Sequence, residues 1–588
     1  MCGIVGYLGK KRNVDFVIKK LKMLEYRGYD SSGVAVKNDD GISIFREVGG
    51  IKNLEEKLPK NKEMSLAIAH TRWATHGKPS EINSHPHSSK NGEWIVVHNG
   101  IIENYLELKN ELKETIESET DTAVLTEFLE EKNVKTMDEF IEFFDGVRGS
   151  FAIAAINKHQ PDKLFFAKRK SPLYVAEFEG DVLVASDPIC FFGMTRNYYI
   201  VCDGEFGFAQ NGKAHFYDKT KHEIFKKTTY LESGFEDAQK MQYGHFMLKE
   251  IMEQRVALER QVDVFCQQKV LEKFDDKFFK RFDNVQFIGC GTAYHAALMG
   301  SAMFRKILHK KADAQIASEF IYNEPIFADE KSLFIFVSQS GETADTIEAM
   351  KLAASKGACT IALTNVLYST LAQNSDYVIP VCAGPEIAVA STKAYVCQLS
   401  AIFMLAKHIE NSVSNLDYDY FDAIKKLAKK ILNIDFKKIE NLASEIKNQT
   451  APIFIGKGLD AITAKEASLK LKEVAYINST DYPSGELKHG FLALVESETP
   501  LFVFATQKNV ISKSLNSASE AASRGAKAIA ISNQEINGLT EFFIDEPDEI
   551  LASILAIVPM QYLAYQVSIQ KGINPDKPRN LAKSVTVE

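Results

Sequence analysis

The second residue of the chain is a cysteine, and its position could give it a catalytic role. A small side chain at position two is compatible with removal of Met1, which would leave Cys2 with a free α-amine beside its thiol. That amine has an ordinary pKa of about 7.7–8.0, so it can be neutral near pH 7 and accept the thiol proton, directly or through a water. The pattern is that of an N-terminal nucleophile, although a lone cysteine at position two is more often incidental.

A second chemical feature is the loop Ser338-Gln-Ser-Gly-Glu-Thr343, which follows an apolar run and begins a helical pattern. Its three hydroxyls, its amide, its glycine and the free N–H groups of a helix start together predict an anion site. The loop contains no Lys or Arg and has no Walker pattern, so a sugar monophosphate fits better than a nucleoside triphosphate. A simple polar helix cap would explain one or two of the hydroxyls, but not all three.

The elements that carry this loop occur twice in the chain, at a spacing of about 168 residues. The matching pairs are Phe287–Thr292 with Phe454–Leu459, Leu333–Ser338 with Leu501–Thr506, and Ala354–Asn365 with Ala522–Asn533. In each copy, short apolar runs alternate with helical patterns, which predicts a parallel β-sheet covered by helices on both faces. Ligands of such sheets bind at the carboxyl ends of the strands. In the second copy the loop reads Thr506-Gln-Lys-Asn509, without the serines and the glycine, so only the first copy is expected to hold a phosphate.

Composition narrows the class of protein. The 588 residues carry a net charge of −8, with 45% hydrophobic and 25% charged residues. No segment is strongly basic, so nucleic-acid binding is not expected. The eight cysteines have irregular spacing, and no apolar run approaches the ~18 residues of a membrane span. We therefore expect a cytoplasmic globular protein without a membrane, disulfide or zinc framework.

Four motifs near the N-terminus follow Cys2 in order: Tyr26–Gly33, His70–Gly77, His98–Gly100 and Ser118–Asp121. As a set they resemble the class II glutamine amidotransferase domain, an N-terminal-nucleophile (Ntn) hydrolase with an α+β fold. The resemblance implies that Cys2 attacks the glutamine side-chain amide and that Asn99 and the N–H of Gly100 form the oxyanion hole. The glutamine-binding residues that it implies are Arg72 for the α-carboxylate, Asp121 for the α-ammonium, and Trp73, His76 and Gly77 on the loop that closes over the substrate.

The duplicated part resembles a pair of α/β sugar isomerase (SIS) domains. Together with the glutaminase motifs it is similar to the isomerising glutamine–fructose-6-phosphate aminotransferase family. Further segments that carry the resemblance are Glu386–Lys393, Leu469–Glu473, Ser484–Gly490 and Pro578–Glu588. The resemblance implies a glutaminase domain over 2–216, a connector over 217–275, SIS domains over 276–416 and 442–578, and a tail over 579–588. It also implies glutamine and fructose 6-phosphate as substrates, glucosamine 6-phosphate as product in the first step of amino-sugar synthesis, a homodimer, and neither metal nor organic cofactor.

The same resemblance assigns roles at the sugar site. The residues that it implies for phosphate binding are Ser338, Gln339, Ser340 and Thr343, with Thr292 nearby. Val389 and Ser391 would line the sugar site. The implied chemistry is ring opening by His489 of a neighbouring subunit, a Schiff base on Lys583, proton transfer by Glu473 aided by Lys470, and assistance at amination by Glu386. Ammonia would pass through a tunnel that Trp73 gates. Without the family, Lys470 and Glu473 are an ordinary surface ion pair and Lys583 is a mobile tail lysine; apolar Leu581 and Val585 favour a docked tail.

Two positions depart from the family pattern, and alternatives stay open. Ala293 stands where a serine is usual, and Phe491 where a proline is usual. His85 and His87 could suggest a metal site near His76, but no carboxylate shows suitable spacing. Arg72 could be a solvated surface group, while His70 and His98, at the ends of apolar strands, are expected to be hydrogen-bonded core residues. Rival functions are a phosphoribosyl-diphosphate amidotransferase, which lacks the repeat, and a sugar-phosphate sensor, which does not need Cys2.

Overall fold

The computed structural model describes residues 2–39, 41–59, 61–74, 76–230, 240–323, 328–414, 416–536 and 540–586. The chain forms two compact units. The first comprises Met1–Ala238 with Ala582–Glu588, and the second comprises Gln239–Leu581.

The first unit contains two antiparallel sheets with helices. Its strands are β1 Gly3–Asn13, β2 Ser31–Asn38, β3 Gly41–Val48, β4 Glu63–Arg72, β5 His87–Ser88, β6 Trp94–Ile102, β7 Gly149–Asn157, β8 Leu164–Arg169, β9 Tyr174–Phe178, β10 Asp181–Ala185, β11 Asn197–Ile200, β12 Glu205–Gln210, β13 Lys213–Tyr217, β14 Glu223–Ile224 and β15 Thr229–Tyr230. Its helices are α1 Asp15–Lys22, α2 Ile51–Lys57, α3 Tyr105–Glu111, α4 Asp121–Glu131 and α5 Met137–Asp145. One sheet has the order β15-β11-β9-β10-β1-β4-β2-β3, and the other β14-β13-β12-β8-β7-β6-β5.

The core of this unit lies in two layers. Alternating residues of β1, β4, β6, β7 and β8 meet between the two sheets, among them Ile4, Ile68 and Val97. The opposite face of β6 and β7 packs on α4 and α5, with Trp94 stacked on Phe140. A two-residue period places neighbouring side chains on opposite faces of a strand, so β6 supplies both layers. The predicted α+β fold of this part is confirmed.

The second unit is built from helices around two parallel sheets. Its helices are α6 Phe246–Met252, α7 Gln254–Gln267, α8 Asp276–Phe279, α9 Gly291–Leu308, α10 Ala317–Tyr322, α11 Ala344–Ser355, α12 Thr370–Asn374, α13 Lys393–Ser414, α14 Tyr420–Lys430, α15 Phe436–Ile446, α16 Leu459–Ala475, α17 Ile511–Ala522, α18 Glu549–Leu555 and α19 Ile557–Gln570. Its strands are β16 Asn284–Gly289, β17 Ala312–Ile316, β18 Ser332–Ser338, β19 Cys359–Thr364, β20 Tyr377–Pro380, β21 Ile453–Gly456, β22 Thr480–Pro483, β23 Pro500–Ala505, β24 Lys527–Ser532 and β25 Thr540–Phe543.

The two sheets have the same strand order, which confirms the duplicated α/β fold. The first is β17-β16-β18-β19-β20 and the second β22-β21-β23-β24-β25, all in parallel. Helices α9 and α16, one from each copy, follow the first strand of their sheets and pack against each other. One continuous apolar core includes residues of both copies and of α6 and α7. The two copies therefore share this core, and each also has a smaller apolar cluster of its own.

One apolar segment of the described residues is long enough to cross a membrane. It is Glu549–Gln570, which covers α18 and α19. Within it, 94% of the apolar window is buried inside the protein. Its apolar surface is thus covered by the core of the second unit.

The expected domain organisation can be compared with the structure at two places. Strands β14 and β15, at 223–230, still pair within the sheets of the first unit, beyond the expected limit at 216. Helix α6 then begins at Phe246. In the tail, Leu581 is 37% and Val585 57% exposed, and Ser584 is buried among the described residues 579–586.

Candidate active sites in the two units

Cys2 lies at the start of β1, beside the end of β4. The register pairs Gly3 with Thr71, so Cys2 is brought next to the residues that follow Thr71. Its Sγ accepts a hydrogen bond from the N–H of Trp73 at 3.2 Å, and the side chain is partly exposed. Met1 lies outside the described residues. The thiol therefore lies partly exposed at a strand end, next to a backbone N–H donor.

Asn99 on β6 turns its amide towards Cys2. Its Nδ2 donates to the Cys2 carbonyl at 3.0 Å, and its Oδ1 lies 3.1 Å from Nε2 of His70. That nitrogen also lies 3.0 Å from the carbonyl oxygen of His98, so Nε2 faces two acceptors and carries the ring proton. Burial lowers the pKa of His70 to about 3, which keeps the ring neutral. His70 is a hydrogen-bonded core residue as expected, but its orienting contact with Asn99 is not visible in the sequence.

Gly100 has a backbone conformation that requires glycine. Its φ is +137°, and a Cβ built there would lie 2.0 Å from the carbonyl oxygen of Ser150 on the neighbouring strand β7. Any side chain would push β6 away from β7. The position of the Gly100 backbone beside Asn99 is thus fixed by close strand contact.

Arg72 and Asp121 lie at the ends of two elements near this thiol. Arg72 is buried at the end of β4, and its Nη2 donates to the carbonyl oxygens of His76 and, at 3.0 Å, Gly77. Asp121 begins α4, and its carboxylate accepts from the N–H groups of Ile102 and Thr122 at 2.8 and 2.9 Å. Burial lowers the pKa of Arg72, while the charges of Cys2 and Asp121 oppose that shift. A buried cation that interacts with both is not a solvated surface arginine.

The loop after Arg72 is held by contacts to aromatic and acidic residues. The Trp73 ring meets Tyr29 edge to face at 5.7 Å, and the His76 ring meets Tyr105 at 5.4 Å. The N–H of Ala74 donates to Asp30 at 2.9 Å. Thr75 lies outside the described residues. The structure therefore brings Cys2, Trp73 and Asn99 together directly, with Arg72 held by the same loop.

The buried histidines near this site form a neutral cluster. His85 stacks on His70 with ring centroids 4.1 Å apart and meets His87 at 4.8 Å. His98 lies 2.9 Å from the Thr122 hydroxyl, and His87 2.9 Å from that of Thr120. Burial lowers the pKa of His85 and His87 well below the usual range. Within the described part of the chain, no group of histidine, cysteine and carboxylate side chains is arranged to hold a metal.

The anion loop of the second unit joins the end of β18 to α11. Ser338 is buried at the strand end, and its Oγ accepts from the N–H of Gly341 at 2.9 Å. Gly341 has a φ of +65°, and a Cβ there would lie 2.0 Å from the Ser369 hydroxyl. Ser340 accepts from the N–H of Glu342 at 3.1 Å, and Thr343 precedes the first residue of α11. Gln339 and the three hydroxyl residues thus form a tight turn at a helix N-terminus.

A buried charged network lies between α9 and α16. Nζ of Lys470 donates to Oε2 of Glu473 at 2.7 Å and to Oγ of Thr292 at 2.9 Å. It also lies 3.2 Å from Oε1 of Glu466, whose other oxygen is 2.6 Å from Nδ1 of His295. Burial disfavours the charge of Lys470, but Glu466 and Glu473 outweigh it and raise its pKa. Lys470 is fully buried, so the surface ion-pair interpretation does not describe it.

Glu466 and His295 belong to this network although neither was expected from the sequence. Burial would raise the pKa of Glu466, yet Lys470 and His295 keep it below the usual range. The available signal was the spacing of Glu466 and Lys470, four residues apart on one helix face. Nothing in that spacing shows that the face is buried against the other copy.

In the segment before α13, the carboxylate of Glu386 accepts hydrogen bonds from residues of the same segment. Glu386 accepts from the Ser391 hydroxyl and the Thr392 N–H, each at 2.9 Å. The carbonyl oxygen of Ser391 accepts from Lys470 at 3.2 Å, which attaches this segment to the charged network. Val389 is 9% exposed, and its N–H donates to the carbonyl of Asp576. The structure therefore joins Thr292, Ser391, Glu386, Lys470 and Glu473 in one site.

The other expected sugar-site residues lie on separate segments of the chain. His489 is exposed at the end of a short 3-10 turn, and within the described residues no hydrogen bond joins it to the network. Lys583 is half-buried in the tail segment that belongs to the first unit. At the departure Phe491, the ring stacks on Tyr482 with centroids 3.7 Å apart, which gives the loop after His489 its own packing.

Comparison with known proteins agrees with both units. A model described as a glutamine amidotransferase domain matches residues 70–192, and one described as a SIS domain matches residues 278–408 and 445–571. Two relatives named glutamine–fructose-6-phosphate aminotransferase (isomerizing) match this chain over all of its length and all of theirs. They are from Clostridium acetobutylicum, 39% identical, and Caldanaerobacter subterraneus subsp. tengcongensis, 41% identical.

A solved structure is similar to the second part of the chain. It is the C-terminal domain of glucosamine-fructose-6-phosphate aminotransferase from Francisella tularensis, 30% identical, with a TM-score of 0.53. It covers 58% of this chain and 100% of the solved one. A glutamine amidotransferase domain, two SIS domains and full-length relatives at about 40% identity place the chain in the family of isomerising glutamine–fructose-6-phosphate aminotransferases.

Proposed function

We propose that this protein converts L-glutamine and D-fructose 6-phosphate to L-glutamate and D-glucosamine 6-phosphate. The observation that supports this most is the occurrence, in one chain, of a thiol beside an oriented amide donor and of a buried acid–base network. The network includes Thr292, which follows β16, and the anion loop follows the neighbouring parallel strand β18. The first arrangement suits hydrolysis of an amide, and the second suits proton transfer on a phosphorylated sugar. The match of aminotransferases along the whole chain agrees with both steps.

In the proposed first step, the free α-amine of mature Cys2 takes the thiol proton. The thiolate then attacks the side-chain carbonyl of glutamine, the α-ammonium returns its proton to the amide nitrogen, and ammonia leaves a thioester on Cys2. Water hydrolyses this thioester, which releases glutamate and restores the thiol. Asn99, with its oxygen held by His70, has its Nδ2 donor aimed at the residue that carries the nucleophile. A preorganised donor of this kind stabilises the oxyanion because it needs no reorientation during the reaction. Arg72 and Asp121 provide opposite charges for the substrate's α-carboxylate and α-ammonium.

In the proposed second step, the serine loop holds the phosphate while an open-chain sugar reacts. Glu473 moves a proton between C1 and C2, and Lys470, fixed between Glu466 and Glu473, holds that carboxylate in place. Glu386 and Ser391 are attached to the same network. Lys583 as the Schiff-base amine is a proposal that depends on the family resemblance.

Ammonia from Cys2 has to reach the sugar unprotonated, since ammonium is not a nucleophile. We propose that Trp73 gates its passage and that no metal or organic cofactor takes part.

The test is a single incubation of purified protein with glutamine and fructose 6-phosphate. Glucosamine 6-phosphate and glutamate are expected in equal amounts. No amino sugar above background should form if fructose 6-phosphate is replaced by an unreactive analogue, and no glutamate above background should form if glutamine is replaced by one. Absence of amino sugar from folded protein would refute the synthase. Binding of fructose 6-phosphate without any product would instead support a sugar-phosphate sensor.

We further propose that the enzyme is a cytoplasmic homodimer in which His489 reaches the sugar of the partner subunit. The irregular spacing of the eight cysteines agrees with a reducing compartment. The exposed position of His489, away from its own network, agrees with donation to a second copy. A composite site predicts that two inactive chains can restore each other.

Mixing His489→Ala chains with Glu473→Gln chains is expected to recover activity. If dimers form at random, half of them are mixed and each has one intact site, so about a quarter of the wild-type rate should return. The measurement is glucosamine 6-phosphate formation after the two proteins are unfolded and refolded together. Each variant refolded alone is the control. No recovery in a mixture shown to contain mixed dimers would place His489 in its own subunit's site or outside any site.

Gly341→Ala is expected to weaken fructose 6-phosphate binding. The left-handed backbone costs alanine about 1 kcal/mol or more, and the new methyl group would overlap the Ser369 hydroxyl, so the turn has to open. We expect the KM for fructose 6-phosphate to rise about tenfold or more, with glutamine hydrolysis unchanged. Gly357→Ala, at another positive-φ glycine with open space around it, is the matched control for backbone strain alone. Equal effects of both substitutions would contradict a specific role of the turn.

A further inference from the structure

Asp460 is a buried carboxylate that the proposed mechanism does not use. It is the second residue of α16 and has no exposed surface. Its oxygens accept from the N–H of Thr506 at 2.8 Å, the Thr506 hydroxyl at 2.6 Å and the N–H of Gln507 at 3.2 Å. Burial raises the pKa of Asp460 to about 6, and these three donors oppose that shift, so the group is ionised above neutral pH.

The internal repeat shows what these donors correspond to. The pair Leu333–Ser338 and Leu501–Thr506 places Thr506 at the position of Ser338, and Gln507 at that of Gln339. Both lie where the central strand of the sheet ends and the loop to the next helix begins. Asp460 therefore bonds the second copy's versions of the groups that are proposed to bind phosphate in the first.

The residue that corresponds to Asp460 in the first copy has no charge. The pair Phe287–Thr292 and Phe454–Leu459 aligns Asp460 with Ala293, near the start of α9. A methyl group there leaves the donors of the Ser338 loop to an external anion. In the second copy the carboxylate takes the donors, and the Gln507 amide closes over them by donating to Glu549 and Ser553 on α18.

We propose that Asp460 is an internal substitute for the ligand's phosphate, and that its carboxylate prevents the second SIS domain from binding a phosphorylated ligand. Two anions cannot share three donors, because their repulsion in a buried space far exceeds what one hydrogen bond provides. Each chain then has one phosphosugar site although the fold occurs twice. The loss of serines from the second loop removes hydroxyl donors, while Asp460 occupies the donors of Thr506 and the N–H of Gln507. The N–H of Lys508, the next residue of the loop, donates to Glu549.

Removing the carboxylate should convert the second copy into an anion site. Asp460→Ala leaves Thr506 and Gln507 without their acceptor and empties the space of the carboxylate. The melting temperature of this variant in sodium chloride should therefore be lower than that of the wild-type protein. Inorganic phosphate at equal ionic strength and pH 8 should then raise that temperature by at least about 3 °C more than in the wild-type protein. Asp460→Asn, which keeps the volume but not the charge, is the control and should gain much less from phosphate.

Hydrogen exchange locates the effect. In Asp460→Ala, phosphate should protect the peptide that contains Thr506 and Gln507, which it should leave unchanged in the wild type. If the alanine variant does not fold in chloride, its refolding yield in phosphate against chloride gives the same comparison. The proposal would be overturned if phosphate raised the melting temperature of all three proteins equally, or if it protected only the Ser338 loop from hydrogen exchange. The inference depends on the proposed function for the ligand's phosphate, but its readout is binding, so it can fail while amino-sugar synthesis by the wild type succeeds.

Discussion

Cys2→Ala is expected to lower glutamate release from glutamine at least about a thousandfold, because the reaction depends on the thiolate that attacks the glutamine amide. Formation of glucosamine 6-phosphate from glutamine should fall equally, since the amination depends on the released ammonia. The change removes one sulfur from a partly exposed position whose backbone contacts with Asn99 and Arg27 remain. Fructose 6-phosphate binding by calorimetry should therefore be unchanged.

The control for Cys2 is a second cysteine with a different environment. Cys190 is buried, and burial raises its pKa, so it has no role as a thiolate. Cys190→Ala should keep full glutaminase activity, even if its small cavity lowers stability. Glutamate release that persists in Cys2→Ala and disappears in Cys190→Ala would reverse the assignment.

Lys470→Met is expected to destabilise the protein by about 3–5 kcal/mol and to abolish amino-sugar synthesis. The substitution keeps the length of the side chain but leaves Glu466 buried without the cation that faces it. Glu466 has no exposed side-chain surface, so water cannot replace the lost partner. Urea denaturation followed by circular dichroism measures the change, and glutaminase activity of protein that remains folded shows whether the first unit is intact.

The double variant Glu466→Gln with Lys470→Met tests the charge directly. Removing both charges should recover most of the lost stability, because the penalty comes from one unpaired ion rather than from the missing pair. Synthesis should stay absent, since Glu473 still lacks Lys470. If the double variant is no more stable than Lys470→Met, the loss comes from packing and the charge argument is wrong.

The single Lys470 variant should also change the pH dependence of stability. In the wild type the pKa of Glu466 is below its unfolded value, so its contribution is present above the unfolded pKa and is lost as the pH falls through the folded one. Without Lys470, burial raises that pKa, and the penalty is relieved when Glu466 takes up a proton. The difference in the free energy of unfolding between the two proteins should therefore narrow as the pH falls from neutral towards the ordinary pKa of glutamate.

The doubled parallel sheet was predictable because its signal is local and repeated. Each copy begins with an apolar run that ends in Gly-x-Gly, and the order of runs is the same in both. The site at Cys2 was predictable in composition but not in detail, since the hydrogen bond that orients Asn99 comes from His70, which lies on a different strand. The register between the strands determines that contact, and neither sequence motif contains information about the register.

The buried network shows why the remainder could not be predicted. Lys470, Glu466 and Glu473 have the spacing of charges on a solvated helix face. Their burial results from the packing of α16 on α9, which belongs to the other copy. The short strands β14 and β15 were missed for a similar reason, because two residues of pairing leave no periodicity to detect.

The large apolar core that spans both SIS copies has an evolutionary consequence. Its side chains come from the two sheets and from the helices between them, so neither copy can be excised with its own interior complete. Thr292 of one copy and Lys470 of the other meet in the same network. What began as a duplicated gene segment is now inherited as one indivisible part, and a mutation in either half is selected for its effect on a shared interior.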